Sequence, residues 1–388
     1  MIGFITLNQD TFSNPTIYSM ISNLNSKGIP VTIYCGYQNQ PIPNDLKLTQ
    51  YIEAPKSLNL PKRPRNLFRY LAVFLKTVLH IKRNNVKHLI AIDPTGLILA
   101  SRCTRLFRSV KIHYCSFEIF FFNEIKNFPQ YLDTKRKEIY YTKYVESIII
   151  QDHRRKSLLV AENLISPSFS NWHMIPVAPL ESDLKKGNNY DLADLGIPKG
   201  ATTYIHSGSV AEWAGINEII ESIKKGLPKN NFIIVHNKSK FDNNDSKHLE
   251  LRLLSEQHEN LILHDKTFKT YNDYINFLSI FDYGIVIYKE GGGIYTGLNI
   301  KEIGLSSGKF SSYMYAGLPS VLYNCTVYKQ LIDKHNIGVI ATTEMDLSYH
   351  IQHQSLANRK KEDCVQFYEK VLNPQRQINH FIDSLING

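Results

Sequence analysis

No run of about 18 apolar residues, the length that a membrane-crossing helix needs, occurs in the chain; the most hydrophobic stretch, Leu67 to Ile81, is cut by Arg69 and Lys76. A spanning segment is not expected. The first residues also lack a basic segment followed by an apolar one and a small-residue cleavage site, so no secretory signal is expected. The five cysteines (Cys35, Cys103, Cys115, Cys325, Cys364) form no CxxC pair and, with the histidines, no zinc-like spacing. These absences point to a reducing cytoplasm and to neither a structural metal nor a metal cofactor. There is no internal repeat and no low-complexity tract, which excludes solenoids and fibrous chains.

The 388 residues, 43% hydrophobic and 21% charged, suffice for two globular cores. Their charge is uneven. Residues 1–180 hold 23 Lys and Arg against 11 Asp and Glu, a balance of +12, whereas residues 181–388 hold 22 against 24, a balance of −2. Between Ala54 and Phe117 thirteen basic residues stand against one acid, Asp93. An anionic partner for the first half alone is implied. Nucleic acid is not expected, because no zinc-finger spacing, RNP-like aromatic strand or helix-turn-helix accompanies the charge.

Short apolar runs alternate with helical periods through both halves, the pattern of parallel sheets covered by helices on both faces. In the first half, strands are predicted at 3–7, 31–35, 88–92, 110–114, 147–150 and 172–175, with helices after Asn14-Pro15 and near 66–83, 97–107, 131–144 and 153–162. In the second half, strands are predicted at 202–206, 231–235, 260–263, 283–287, 320–322 and 338–340, with helices near 212–225, 247–258, 271–281, 307–316 and 327–334. The expected organisation is a first Rossmann-like domain over 1–180, a connection over 181–200, a second Rossmann-like domain over 201–357, and a C-terminal helical segment over 358–388.

The segment Gly304-Leu-Ser-Ser-Gly-Lys309 approaches a Walker A loop but fails it. Three residues separate its glycines, and Phe310 stands where a magnesium-binding Ser or Thr belongs. It still places small residues and a lysine at a predicted helix N-terminus, which suits a diphosphate. With the residues that follow, Phe310-Ser-Ser-Tyr-Met-Tyr-Ala-Gly-Leu-Pro319, it resembles the donor-site helix of GT-B glycosyltransferases, particularly the bacterial family 4 enzymes. Ile205-His-Ser-Gly-Ser209 with Gly215 is similar to the Gly-rich turn that opens their second domain. In the first half, Ile92-Asp-Pro94, Ser116-Phe-Glu118, Gln151-Asp-His-Arg154 and Met174-Ile-Pro-Val177 resemble landmarks of a polysaccharide-forming subgroup.

This resemblance implies two Rossmann-like domains facing a cleft, a last helix within 358–388 that crosses back onto the first of them, and a metal-independent transfer from a nucleotide sugar, UDP-linked by expectation. The acceptor would be a glycan, lipid-linked, in surface polysaccharide, O-antigen or capsule assembly. The donor would rest on Ser209, Ser306, Ser307, Gly308, Lys309 and Ser312, with Lys238 as a further cation and Tyr288 over the sugar. Two family carboxylates are missing: Ser312 and Gly304 hold their places, and Glu302 is offered as a displaced substitute. The arginine that usually follows the first strand of the second domain is missing too, so retaining and inverting chemistry both stay open.

On the acceptor side, Asp93 and Glu118 follow predicted strands, where a carboxylate could take a hydroxyl proton. Asp93 can also be read as a helix cap, and His113 reads as a packed strand residue. Along the helix near 66–83, apolar Leu67, Leu71, Phe74, Val78 and Ile81 recur at spacings of three or four. They read as the face laid on the sheet. A second reading joins Arg63, Arg65, Arg69 and Lys76 into an acceptor or anionic-membrane surface, making the protein cytoplasmic and peripheral on the inner face of the membrane. Two further functions remain open: a non-catalytic partner of the same fold, and a nucleotide-sugar epimerase.

Overall fold

A computed structural model describes residues 1–7, 11–36, 41–55, 62–105, 107, 109–126, 128–180, 190–237, 239–268, 270–291, 293–353 and 355–387, with only the backbone at 13, 62–67 and 326. The chain divides into two compact units, Met1–Leu180 with Pro374–Gly388, and Glu181–Asn373.

The first unit carries seven strands: β1 (Ile2–Thr6), β2 (Val31–Cys35), β3 (Thr49–Glu53), β4 (His88–Ile92), β5 (Lys111–Cys115), β6 (Ser147–Ile150) and β7 (Trp172–Met174). All pair in parallel, in the order β3-β2-β1-β4-β5-β6-β7. Its helices are α1 (Pro15–Ser26), α2 (Lys62–Asn84), α3 (Asp93–Thr104), α4 (Phe122–Ile125), α5 (Pro129–Thr142) and α6 (His153–Asn163). Local chemistry sets several starts. The Asn14 side chain accepts from the N–H groups of Thr16 and Ile17 ahead of Pro15 in the first turn, and Asp152 caps α6.

The second unit pairs β8 (Thr202–Ser207), β9 (Asn231–His236), β10 (Leu261–His264), β11 (Tyr283–Ile287), β12 (Ser320–Tyr323) and β13 (Gly338–Ala341) in the parallel order β10-β9-β8-β11-β12-β13. Helices α7 (Ile216–Lys224), α8 (Ser246–Gln257), α9 (Tyr271–Ser279), α10 (Leu298–Lys301), α11 (Gly308–Tyr315), α12 (Lys329–His335), α13 (Glu344–Gln352) and α14 (Lys361–Phe367) follow. The last helix, α15 (Gln375–Asn387), belongs to the first unit. There Ile378, Phe381, Ile382 and Leu385 join α1's Ile17, Met20, Ile21 and Leu24 and the sheet's Phe4, Ile33 and Ile90 in one core.

The expected doubly wound parallel α/β architecture is present in both units, with helices α4 and α13 added to those expected and with the following differences. Strand β3 carries no strand signal in the sequence: it is an edge strand, half-exposed and bearing Gln50 and Glu53, so it lacks the apolar run of a strand covered on both faces. The helix expected over 212–225 is broken, because Gly215 (φ +78°) divides a 3₁₀ turn from α7. The C-terminal segment is not one element: α14 and a π-helical turn (Tyr368–Leu372) stay with the second unit, and Pro374 begins the return to the first.

In each sheet the chain reverses direction of winding beside its first strand, between β1 and β4 and between β8 and β11. In such sheets ligands bind beyond the carboxyl ends of the strands at this switch point. Asp93 follows β4 and Gly208 follows β8.

Candidate active-site groups

Asp93 sits at the end of β4 in a left-handed backbone conformation (φ +57°), uncommon for a non-glycine residue but tolerated by Asp. It does not cap α3. Its Oδ1 instead accepts from the N–H groups of Phe117 (2.9 Å) and Glu118 (3.0 Å), on the loop after β5. On the other side of this loop, Arg155 is 1% exposed. Its guanidinium donates to the Phe117 carbonyl (2.6 Å) and the Gln151 side chain (2.8 Å), while Gln151 donates to the Ser116 carbonyl (3.0 Å). A carboxylate and a guanidinium thus clamp one short loop from opposite sides.

Burial raises the Asp93 carboxyl to about 6, against the pull of the two loop N–H groups and the Arg155 charge. Glu118 is raised to about 8, chiefly by burial and then by Asp93, with Arg155 opposing. The first unit therefore holds two carboxyls suited to proton transfer near neutral pH. His113 stays within the sheet, bonded to His88 (3.0 Å) and Ser147 (2.7 Å) and held neutral mainly by burial. Behind β5, Glu138 gathers Tyr114, Lys135 and Asn163 into a fully buried polar network.

In the second unit the turn after β8 approaches the N-terminus of α11. A Cβ on Gly208 (φ +134°) would stand 3.2 Å from Lys309 Cε and 3.6 Å from its Nζ, so glycine permits both the conformation and the close passage of the lysine. Ser307 caps α11, its hydroxyl accepting from Phe310 N (3.0 Å) and bonding to the Tyr288 hydroxyl. The Lys309 ammonium lies 5.9 Å from the centre of the Tyr288 ring. His206 is fully buried beside the backbone of Ser209 and Ile285. Burial, then the Lys309 charge, holds it neutral. Two further tyrosines brace the turn: Ser207 N donates to the Tyr313 hydroxyl (2.8 Å), and the Ser207 and Tyr274 hydroxyls bond at 3.0 Å.

The structure thus brings Tyr288, Ser307, Gly308 and Lys309 together with the Gly208 turn. Ser209 is exposed just beyond it and Ser306 half-buried just before the cap. Ser312 is placed differently: it is buried inside α11, its hydroxyl committed to the Gly308 carbonyl (2.5 Å) and the Tyr271 hydroxyl (2.5 Å). Glu302 closes the short α10, half-buried. Lys289 is drawn into an ion pair with the buried Glu218 (2.5 Å). Lys238 and the side chains of Arg63 and Arg65 lie outside the described residues. Arg69 is half-buried, and Lys76 donates to the Glu53 carbonyl (2.7 Å). Among the described residues no group of three or more His, Cys, Asp and Glu is arranged to hold a metal ion.

Sequence reading missed Arg155, Gln151, Tyr274 and Tyr313. The first two adjoin or belong to a stretch that resembles a family landmark, and Tyr313 lies within the donor-helix motif, but no spacing assigns any of them to these loops.

Three solved structures place this geometry among known folds. Sucrose-phosphate synthase from Thermosynechococcus elongatus matches with a TM-score of 0.74 at 10% identity, over 100% of this chain and 98% of that one. The Anabaena protein HepE, solved with UDP-glucose, matches with a TM-score of 0.71 at 11% identity, over 100% and 99%. A Listeria monocytogenes protein assigned as a UDP-N-acetylglucosamine 2-epimerase matches with a TM-score of 0.64 at 13% identity, over 99% and 95%. No protein-family model and no curated protein sequence matches the chain. The likeness is one of fold, and the fold is GT-B.

Proposed function

We propose that the protein is a glycosyltransferase that moves a sugar from a UDP-sugar to a hydroxyl of a glycan acceptor, lipid-linked and part of surface polysaccharide assembly, at the inner face of the membrane. The observation that carries this reading is Lys309, set over the Gly208 turn at the N-terminus of α11 and at the switch point of the second sheet. The first turn of a helix presents N–H groups without intrahelical acceptors, and its dipole favours an anion. In the proposed reaction the diphosphate lies against this turn, and Lys309 with the helix end stabilises the charge that develops as the sugar–phosphate bond breaks. No bound metal is then required for that charge. The UDP donors in the HepE structures support the choice of base.

The acceptor oxygen forms the new bond to the sugar carbon while its proton passes to a base. In an inverting reaction Asp93 is that base, ionised above about pH 6, with Glu118 still protonated beside it. In a retaining reaction the same pair orients the acceptor.

A second reading, a non-catalytic partner, is favoured by Ser312 and Gly304, which stand where the family carries carboxylates, and by the burial of Ser312. Thermal unfolding against UDP, GDP, CMP and ADP, each with and without EDTA, separates the two. A ligand at a hundred times its Kd adds about 2.7 kcal/mol. The transferase reading expects a shift with UDP that EDTA leaves unchanged. It fails if no nucleotide moves the transition. An epimerase would instead convert a UDP-sugar to its isomer without releasing UDP.

A further inference from the structure

The loop after β5 turns two successive N–H groups to one side, those of Phe117 and Glu118, and both donate to Asp93 Oδ1. Such a pair makes a hollow suited to an anion, and the Asp93 carboxyl fills it. The carbonyls of the same two peptide units point the other way. That of Ser116 accepts from the Gln151 amide (3.0 Å) and that of Phe117 from the Arg155 guanidinium (2.6 Å). Because a trans peptide carries its N–H and C=O in opposite directions, each unit is a dipole running from the α6 side to Asp93. Arg155 stands at the negative end of one of them and the carboxyl at the positive end of both.

The α6 side is firmly held. Asp152 caps the helix by accepting from Arg155 N (2.8 Å), Gln151 accepts from Arg155 Nε (2.8 Å), and Ser116 N donates to the Ile149 carbonyl of β6 (3.1 Å). Ser116, Gln151 and Arg155 are all 1% exposed or less. Holding a carbonyl does not require a charge, since Gln151 holds its neighbour with a neutral amide. A buried guanidinium is costly unless a negative group answers it. Of the ionisable groups that act on one another around Asp93, Tyr114 and Cys115 belong to β5, Glu118 to its loop and Glu138 to α5. Glu138 is already met by Lys135 (3.1 Å), and Asp152 by the first turn of α6. The carboxyls that the Arg155 charge addresses are therefore Asp93 and, beside it, Glu118.

We infer that Arg155 is a positioning residue for Asp93. Through the Phe117 carbonyl it keeps the loop N–H groups on Oδ1, which leaves Oδ2 to meet an acceptor hydroxyl, and it sets a weakly screened positive charge behind the carboxyl. The inference deepens the acceptor side of the proposed function and rests on that reading only for what Asp93 does to an acceptor.

The test follows the carboxyl carbon of Asp93 by NMR in the full chain labelled with isotopic aspartate, the signal being identified by its absence from Asp93→Asn. Arg155→Gln keeps an amide donor on that side of the loop and removes the charge. The Asp93 midpoint, about 6 in the parent chain, should rise by about one pH unit or more, and Arg155→Lys should restore most of the difference. Such a rise lowers the ionised fraction about fivefold at pH 6 and hardly at pH 8, so turnover should fall in the same proportion with the Kd for UDP unchanged. A residue that only supports the fold would lower turnover alike at both pH values. Should Arg155→Gln not fold, Gln151→Glu brings an opposing charge to the guanidinium at unchanged volume, and the same rise is expected. The inference is overturned if the midpoint in folded Arg155→Gln, or in Gln151→Glu in its place, stays within about 0.3 of the parent value. It is equally overturned if Arg155→Lys lies no nearer to the parent than Arg155→Gln. The proposed function fails separately, when UDP leaves the thermal transition unmoved, and the Asp93 midpoint can then still be read.

Discussion

Glu118 holds a proton at a pH where a free glutamate would not, and this has consequences for both rate and stability. Its folded value lies near 8 and the ordinary value is 4.5, so between those limits the folded chain binds a proton that the unfolded chain releases. Stability from this group is full below about pH 4.5 and is lost as pH rises through about 8. Glu118→Gln removes that loss: the first unit should gain at most about 4 kcal/mol at pH 8 and under about 1 kcal/mol near pH 5, read by urea unfolding at each pH. Equal effects at the two values would mean that Glu118 is not the proton holder. For Asp93 the prediction concerns rate. Transfer should rise as pH passes about 6, and Asp93→Asn should lower turnover roughly 10²- to 10⁴-fold without changing the Kd for UDP. A profile flat from pH 5 to 7 would remove Asp93 as base. Lys309→Ala should do the opposite on binding, weakening UDP by about 1.5–3 kcal/mol, roughly 10- to 150-fold in Kd by calorimetry.

The elements that hold these residues were legible to different degrees, for physical reasons. Strands such as β9 and β11 are covered on both faces and therefore read as apolar runs, while the edge strand β3 needs little apolar surface and reads as a loop. Helix α2 shows the limit of periodicity. A 3.6-residue repeat announces an amphipathic helix but does not say which of two apolar rows meets the sheet, and Leu71, expected inward, points out. In the proposed donor site, Ser307, Gly308 and Lys309 are contiguous and could be read together. Tyr313 reaches Ser207 across 106 residues and Arg155 reaches Phe117 across 38, and only the fold makes such meetings visible. Gly215 illustrates an element set by sterics: at φ +78° its added Cβ would lie 2.0 Å from Ile287 Cγ2, at the end of β11. Gly215→Ala must both strain the backbone and displace that strand end. It should cost about 2 kcal/mol or more in the unfolding of the second unit, and a loss within a few tenths would mean that the turn relaxes freely.

At the scale of the whole molecule the chain leaves the first unit after Leu180 and returns at Pro374, so the first unit is completed only by its last helix. Helix α15 buries Ile378, Phe381, Ile382 and Leu385 fully or nearly so. At about 1.5–3 kcal/mol for each buried side chain, these four contribute on the order of 6–12 kcal/mol, comparable with the entire stability of a domain. The exposed Lys27–Asp383 pair (3.1 Å) adds little by comparison. Removing residues 374–388 should therefore unfold or loosen the first unit while leaving the second folded. The two tryptophans make this separable, since Trp172 lies in β7 of the first unit and Trp213 in the turn before α7 of the second. In the truncated chain, Trp172 emission, isolated by Trp213→Phe, should lose its cooperative transition. Trp213 emission, isolated by Trp172→Phe, should keep its transition and still respond to UDP. Loss of both transitions together would show that the two units fold as one, and the donor site would then depend on a helix that contributes no residue to it.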